Sequence, residues 1–173
     1  MQKFYSYGKL LITAEYAVLD GAKALALPTK FGQSFEVKPF EQPEIRWKSF
    51  DLNGKLWFET TLQLPTFETT TKNATAKRLS ECFTAISKLN SSCFKNNIGF
   101  EMYSHLEFPQ NWGLGSSSTL INNLAQWAKV DAFTLLENTF GGSGYDIACA
   151  QNPNPILYQQ QNSKPHIKIV DFD

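Results

Sequence analysis

The stretch from Ile98 to Ala128 changes its period partway along, and that change limits what the chain can fold into. Ile98, Phe100, Met102, Leu106 and Phe108 alternate with Gly99, Glu101, Tyr103, His105 and Glu107, the pattern of a strand with one face in a core. From Leu120 onward Ile121, Leu124, Trp127 and Ala128 follow at the spacing of one helical face. Between the two lies "GLGSSS", Gly113 to Ser118, a loop almost without side chains at the mouth of a helix. Gly113 and Gly115 permit backbone angles that set successive N–H groups on one concave surface. The helix adds about half a unit of positive charge at its first turn. Such a nest suits an anion, and a phosphate can collect several of its donors at hydrogen-bond distance. Ser116, Ser117 and Ser118 add hydroxyls, one of which can ligate magnesium. A flexible loop ahead of a serine-capped helix has the same local sequence. The loop is also no Walker A, because Ser116 follows Gly115 where that motif requires lysine. A triphosphate bound here would need its cation from elsewhere.

The rest of the chain reads as a mixture of strands and helices. Residues 10–39 are rich in branched and aromatic side chains, with breaks expected at Asp20-Gly21 and Pro28, and Phe31, Phe35 and Val37 share one parity. Ile45-Arg46-Trp47 and Leu56-Trp57-Phe58 flank "DLNG", whose Asn53-Gly54 pair can take the positive φ of a tight hairpin. From Asn73, a candidate N-cap, Ala76, Leu79, Phe83, Ile86 and Leu89 mark a helix to about Asn90. Ala132 to Asn138 continue helical, "GGSGYDIACAQ" from Gly141 breaks and restarts the chain, and Ile156–Tyr158 and Ile167–Val170 read as two further strands.

Charge and cysteine content narrow the function. With 16 basic and 16 acidic residues in 173, the chain has no electrostatic case for wrapping nucleic acid or lying on an anionic membrane. Its first residues lack a signal-peptide pattern and no apolar run is long enough to span a bilayer, so the sequence reads as a soluble, cytoplasmic single domain. Cys82, Cys93 and Cys149 share no metal-binding spacing and read as reduced, buried thiols. The sequons at Asn73 and Asn90 carry no weight without a secretory signal.

Two further stretches supply what the loop lacks. "YGKLLITAEYAVLDG", Tyr7 to Gly21, carries Lys9 and Glu15, and "GGSGYDIA", Gly141 to Ala148, holds Asp146 in a glycine-rich turn. Together with "GLGSSS", in this order, they resemble the kinases of galactose, homoserine, mevalonate and phosphomevalonate, the GHMP kinases. "EYAVL", with Tyr16 where mevalonate kinases usually have histidine, looks closer to the phosphomevalonate kinases, and "GYDIA" is similar to a bacterial subgroup named for that string. The resemblance runs through nearly the whole chain. It implies an α+β fold, a mixed sheet with helices packed on one side and a left-handed β-α-β crossover, against the usual right-handed rule. It also implies ATP-dependent transfer of a γ-phosphoryl group to a small alcohol or phosphate acceptor, with mevalonate and phosphomevalonate as first candidates.

The residue roles follow from the same resemblance. The lysine matching Lys9 and the aspartate matching Asp146 flank the acceptor oxygen in the family. The loop matching Gly113, Leu114, Gly115, Ser116, Ser117 and Ser118 wraps the ATP phosphates, and the serine matching Ser117 holds Mg2+. Glu137 is a candidate second magnesium ligand, although its spacing to Asp146 is shorter than in mevalonate kinase. Glu15, Tyr16, Ser143 and Gly144 are candidates for the acceptor pocket. Glu15 sits in an apolar, strand-like run, where a carboxylate needs a partner, either a structural salt bridge or a substrate.

The chain departs from the family pattern in two places. Ala14 stands where relatives usually have glycine before the motif glutamate. No second glycine-rich motif follows Gly144, so the chain matches the N-terminal, ATP-binding half of such a kinase with the C-terminal domain missing. An exposed apolar patch is then expected, covered by homodimerisation or by a C-terminal domain. Two other readings stand beside the kinase. One is a diphosphomevalonate decarboxylase-like enzyme, distinguished by release of carbon dioxide; the other is a nucleotide-binding module without turnover.

Overall fold

The structure is a computed structural model and describes residues 1–162 and 164–171. Seven strands form one sheet, β1 (Gln2–Leu11), β2 (Ala24–Phe40), β3 (Glu44–Phe50), β4 (Leu56–Gln63), β5 (Gly99–Leu106), β6 (Ile156–Gln161) and β7 (Lys164–Ile169). The order is β4-β3-β5-β2-β6-β7, with β1 also paired to β2. The long β2 organises it. Residues 26–37 of β2 pair with β1, while Gln33–Phe40 pair with β5 and Ala24–Ala26 pair with β6. Among the described residues only β3 and β5 run parallel, and β4 and α1 (Ala74–Leu89) bridge them, the place in the chain where the expected crossover falls. The remaining helices are α2 (Ser116–Ala128), α3 (Ala132–Glu137) and α4 (Tyr145–Gln151).

The helices share one core with one face of the sheet. Phe35, Trp47 and Met102 from the strands meet Phe83, Ile86, Leu124 and Leu135 from the helices, all buried. A second cluster joins Val18, Ala24, Ala26 and Ile156 to Ala148 and Cys149 of α4. Residues of the other parity carry charge instead: Lys3 pairs with Glu36 at 2.6 Å, Lys38 lies over the Tyr103 ring, and His105 stacks on Phe50. This is the expected mixed sheet with helices on one side. Among the described residues no helix is long and apolar enough to cross a membrane.

Local expectations fared unevenly. Asn73 caps α1, its side chain accepting from the Ala76 amide at 2.8 Å. In the β3–β4 turn only Gly54 takes a positive φ, +74°, because Asp51 closes the loop by accepting from the amides of Asn53 and Lys55, each at 2.9 Å. Pro28 does not break β2. It pairs with Lys9 beside the irregularity between Tyr7 and Lys9, where a missing N–H is tolerated. Phe31 is about half exposed despite sharing parity with Phe35 and Val37, since it lies outside the part of β2 that pairs with β5. Ile98 and Leu89, at the ends of their elements, are also exposed, and Cys93, in the 3-10 segment after α1, is only half-buried where Cys82 and Cys149 are buried.

Candidate active site

Lys9, the glycine-serine loop and Asp146 come together on the helical side of β1. The Lys9 amide donates to the Leu114 carbonyl at 2.9 Å, which fastens the loop to the strand. That approach needs Gly8, because a Cβ there would lie 3.1 Å from the Leu114 oxygen and 3.0 Å from that of Phe31. Gly115 has φ +84°, and a Cβ on it would stand 3.1 Å from Cγ of Lys9, so the lysine stem runs along the loop. Gly115 is also the N-cap of α2 and supplies no side chain, which leaves the first-turn amides open. Ser117 is exposed there and Ser116 is half-buried.

Asp146 lies in the first turn of α4, entered through a glycine-rich turn in which Gly141, Gly142 and Gly144 all have positive φ. Two contacts hold this turn. The Tyr158 hydroxyl donates to the carbonyl of Ser143, and a Cβ on Gly144 would come within 2.9 Å of the Phe133 ring. The Asp146 carboxylate is tied directly to α2, since Ser118 Oγ donates to its Oδ2 at 2.9 Å. Lys9 Nζ lies 5.3 Å from the ring centroid of Tyr145, the neighbour of Asp146. The buried thiol of Cys149, one turn further along α4, responds to both charges. Burial pushes it up to about 12, the Asp146 carboxylate adds to the rise and the Lys9 ammonium opposes it. Lys9 and Asp146 form no direct ion pair among the described residues.

The other candidates differ in setting and exposure. Glu15 is exposed in a turn before a 3-10 segment at Ala17–Asp20, so the strand-like reading of its surroundings is corrected, and no salt bridge holds it among the described residues. The strand ends at Leu11, and Ala14 turns the chain outward with φ +65°, the conformation that glycine would take more easily. Tyr16 is 80% exposed. Ser143 is buried in the supporting turn. Glu137 ends α3 exposed, and no cluster of three metal-ligating side chains exists among the described residues. Ser117, an exposed hydroxyl at the loop mouth, is the residue present that would hold a magnesium ion, which would neutralise phosphate charge there.

Sequence reasoning missed the cavity beside the loop and the polar frame beneath it. The cavity, about 430 Å³, opens between α1 and the sheet and reaches Ser116 and Ser117; Trp57, Leu79, Leu120 and Phe140 give it apolar walls. Its lining comes from separate elements, so no local pattern announces it. Beneath, Thr119 donates to Gln33 at 2.7 Å and Gln33 to Ser104 at 2.6 Å, while Asn123 accepts from Ser6 at 2.8 Å and donates to the Gln33 carbonyl at 2.9 Å. These buried bonds fix the start of α2 on β1, β2 and β5.

No protein-family model matches the chain, and no curated protein matches its sequence. Solved structures match its fold along the whole length. Lactococcus lactis galactokinase, complexed with galactose, is 14% identical with TM-score 0.69, covering 98% of this chain and 47% of its own. Methanococcus jannaschii mevalonate kinase is 15% identical with TM-score 0.71, covering 99% and 56%. Streptococcus pneumoniae phosphomevalonate kinase, in complex with phosphomevalonate and AMPPNP, is 20% identical with TM-score 0.65, covering 92% and 50%. The chain shares the fold of the matched part of these kinases. It spans about half the length of these structures.

Proposed function

We propose that the chain is the ATP-holding half of a small-molecule kinase, which passes the γ-phosphoryl group of ATP to an alcohol or phosphate acceptor. The observation that carries this reading is the meeting of three sequence-distant groups, the open amides at Gly115, the Lys9 ammonium and the Asp146 carboxylate. Phosphoryl transfer needs alignment and charge neutralisation more than covalent chemistry. The first-turn amides of α2 hold the terminal phosphates, and the neighbouring cavity takes the base and ribose. Lys9 faces the charge that develops between donor and acceptor oxygens, and Asp146 orients the acceptor hydroxyl and receives its proton. Magnesium, held beside Ser117, supplies further neutralisation of phosphate charge when bound.

Mevalonate and phosphomevalonate are the first acceptors to test, given the "EYAVL" and "GYDIA" wording and the mevalonate-pathway kinases among the structural neighbours. A second domain completes the enzyme in this reading, because the similar kinases are about twice as long. It would cover the exposed Leu10, Ile12, Tyr16 and Leu19, which follow Lys9 in the chain. The working site is cytoplasmic, where ATP is abundant. The test is ADP release from Mg-ATP in the presence of mevalonate, phosphomevalonate and galactose, with and without an added C-terminal domain of a related kinase. Release that depends on one acceptor supports the kinase. Binding of Mg-ATP without release under any condition favours the nucleotide-binding module instead.

A further inference from the structure

We infer that Ser118 is a positioning residue for Asp146 and not a phosphate ligand, an inference that deepens the kinase reading and rests on it. Ser117 and Ser118 are adjacent in sequence, but successive helical residues point about 100° apart. The structure uses that difference: Ser117 is exposed at the loop mouth, whereas Ser118 is 5% exposed and turned toward α4. Its Oγ donates to Asp146 Oδ2 at 2.9 Å. Among the described residues the bond to Asp146 is the polar contact made by this buried hydroxyl.

This bond does something the rest of the turn cannot. Asp146 stands on a helix of seven residues entered through three glycines with positive φ; Ile147, Ala148, Cys149 and Ala150 bury that helix in the core, and Tyr158 and Phe133 support the turn before it. Nothing in those contacts fixes the carboxylate rotor. Ser118 pins Oδ2 and leaves Oδ1, which receives no protein hydrogen bond among the described residues, as the oxygen for the acceptor hydroxyl. The same bond joins the first turns of α2 and α4, so the phosphate loop and the proton acceptor keep one geometry. A misplacement of the base of about 1 Å is enough to lower turnover on the order of a hundredfold.

The test compares Ser118→Ala and Ser118→Thr with the parent chain. With the acceptor identified as above, Ser118→Ala is expected to lower kcat about ten- to a hundredfold, with KM for Mg-ATP within about twofold of the parent. Ser118→Thr, which keeps the hydroxyl, restores kcat. A raised KM for Mg-ATP with kcat intact would make Ser118 a phosphate ligand, and unchanged kinetics would make its hydroxyl mere packing; either overturns the inference. A second readout needs no turnover: the Asp146 carboxyl carbon resonance in the nucleotide-free chain shifts in Ser118→Ala and returns in Ser118→Thr. A resonance that stays put overturns the inference whether or not ATP is used. A parent that fails to bind Mg-ATP while the resonance still responds refutes the kinase reading alone.

Discussion

Lys9 and Leu114 are joined backbone to backbone, amide to carbonyl at 2.9 Å, so the strand bearing the cation and the loop ahead of α2 form one piece. Gly8 permits the contact, since a methyl there would press on two carbonyl oxygens and, at 2.5 Å, on Thr29 Oγ1. Gly8→Ala is therefore expected to destabilise the chain by about 1–3 kcal/mol, the usual range for overpacking. It should also weaken Mg-ATP binding, because the loop must lift from β1. Urea unfolding and calorimetric titration measure the two effects, and a variant with parental stability would show that the loop can move freely.

Asp146→Asn keeps the shape of the side chain and an oxygen that can accept from Ser118. It should leave Mg-ATP affinity within a few-fold of the parent and lower turnover by roughly 10²–10⁴, the contribution of a general base. Acceptor-dependent ADP release measures it. Equal turnover would remove Asp146 from the chemistry.

Ala14 holds φ +65° with a side chain, a conformation that disfavours L-residues by about 1–2 kcal/mol. Its carbonyl accepts from the Val18 amide at 2.8 Å, so the turn is fixed in that form. Glycine regains that strain but adds freedom to the unfolded chain, worth about 0.4–1 kcal/mol. Ala14→Gly is expected to stabilise by up to about 1 kcal/mol in urea unfolding. A clear loss of stability would mean that the Ala14 methyl is worth more in its packing beside Val18 than the strain it carries.

Alkaline pH should weaken the fold through Cys149. Burial raises its folded-state value from 9.0 to about 12, so its contribution is complete below pH 9 and is lost as pH rises toward 12. Across that window the unfolded chain holds fewer protons than the folded one, and stability falls by up to about 1.4 kcal/mol per pH unit for this thiol. Cys82 behaves alike. Cys149→Ala should flatten the fall relative to the parent in urea unfolding at several pH values; identical slopes would contradict the burial of the thiol.

The motifs were legible because each keeps its chemistry within a few residues. Lys9, Gly113 to Ser118 and Asp146 could be picked from the sequence, and folding brings Lys9 to the loop and the loop to Asp146. Helix α1 and strand β5 were legible from period alone, Asn73 included. Reading failed where a residue answers to neighbours distant in sequence. Pro28 survives within β2 because its partner strand is irregular opposite it, Phe31 is exposed because β5 ends short of it, and Glu15 is solvated because Ala14 turns the chain outward. Three consecutive serines look alike in a sequence, and only the docking of α4 against α2 separates Ser118 from the two before it.

For this site to transfer a phosphoryl group, phosphates must settle on the first turn of α2, next to Lys9. Amide resonances of the labelled chain, followed while AMPPNP is added with and without magnesium, test this most directly. The structure predicts magnesium-dependent shifts centred on Gly113–Ser117 and Lys9, abolished by Gly115→Val. Shifts confined to other surfaces, or none at saturating nucleotide, would contradict it.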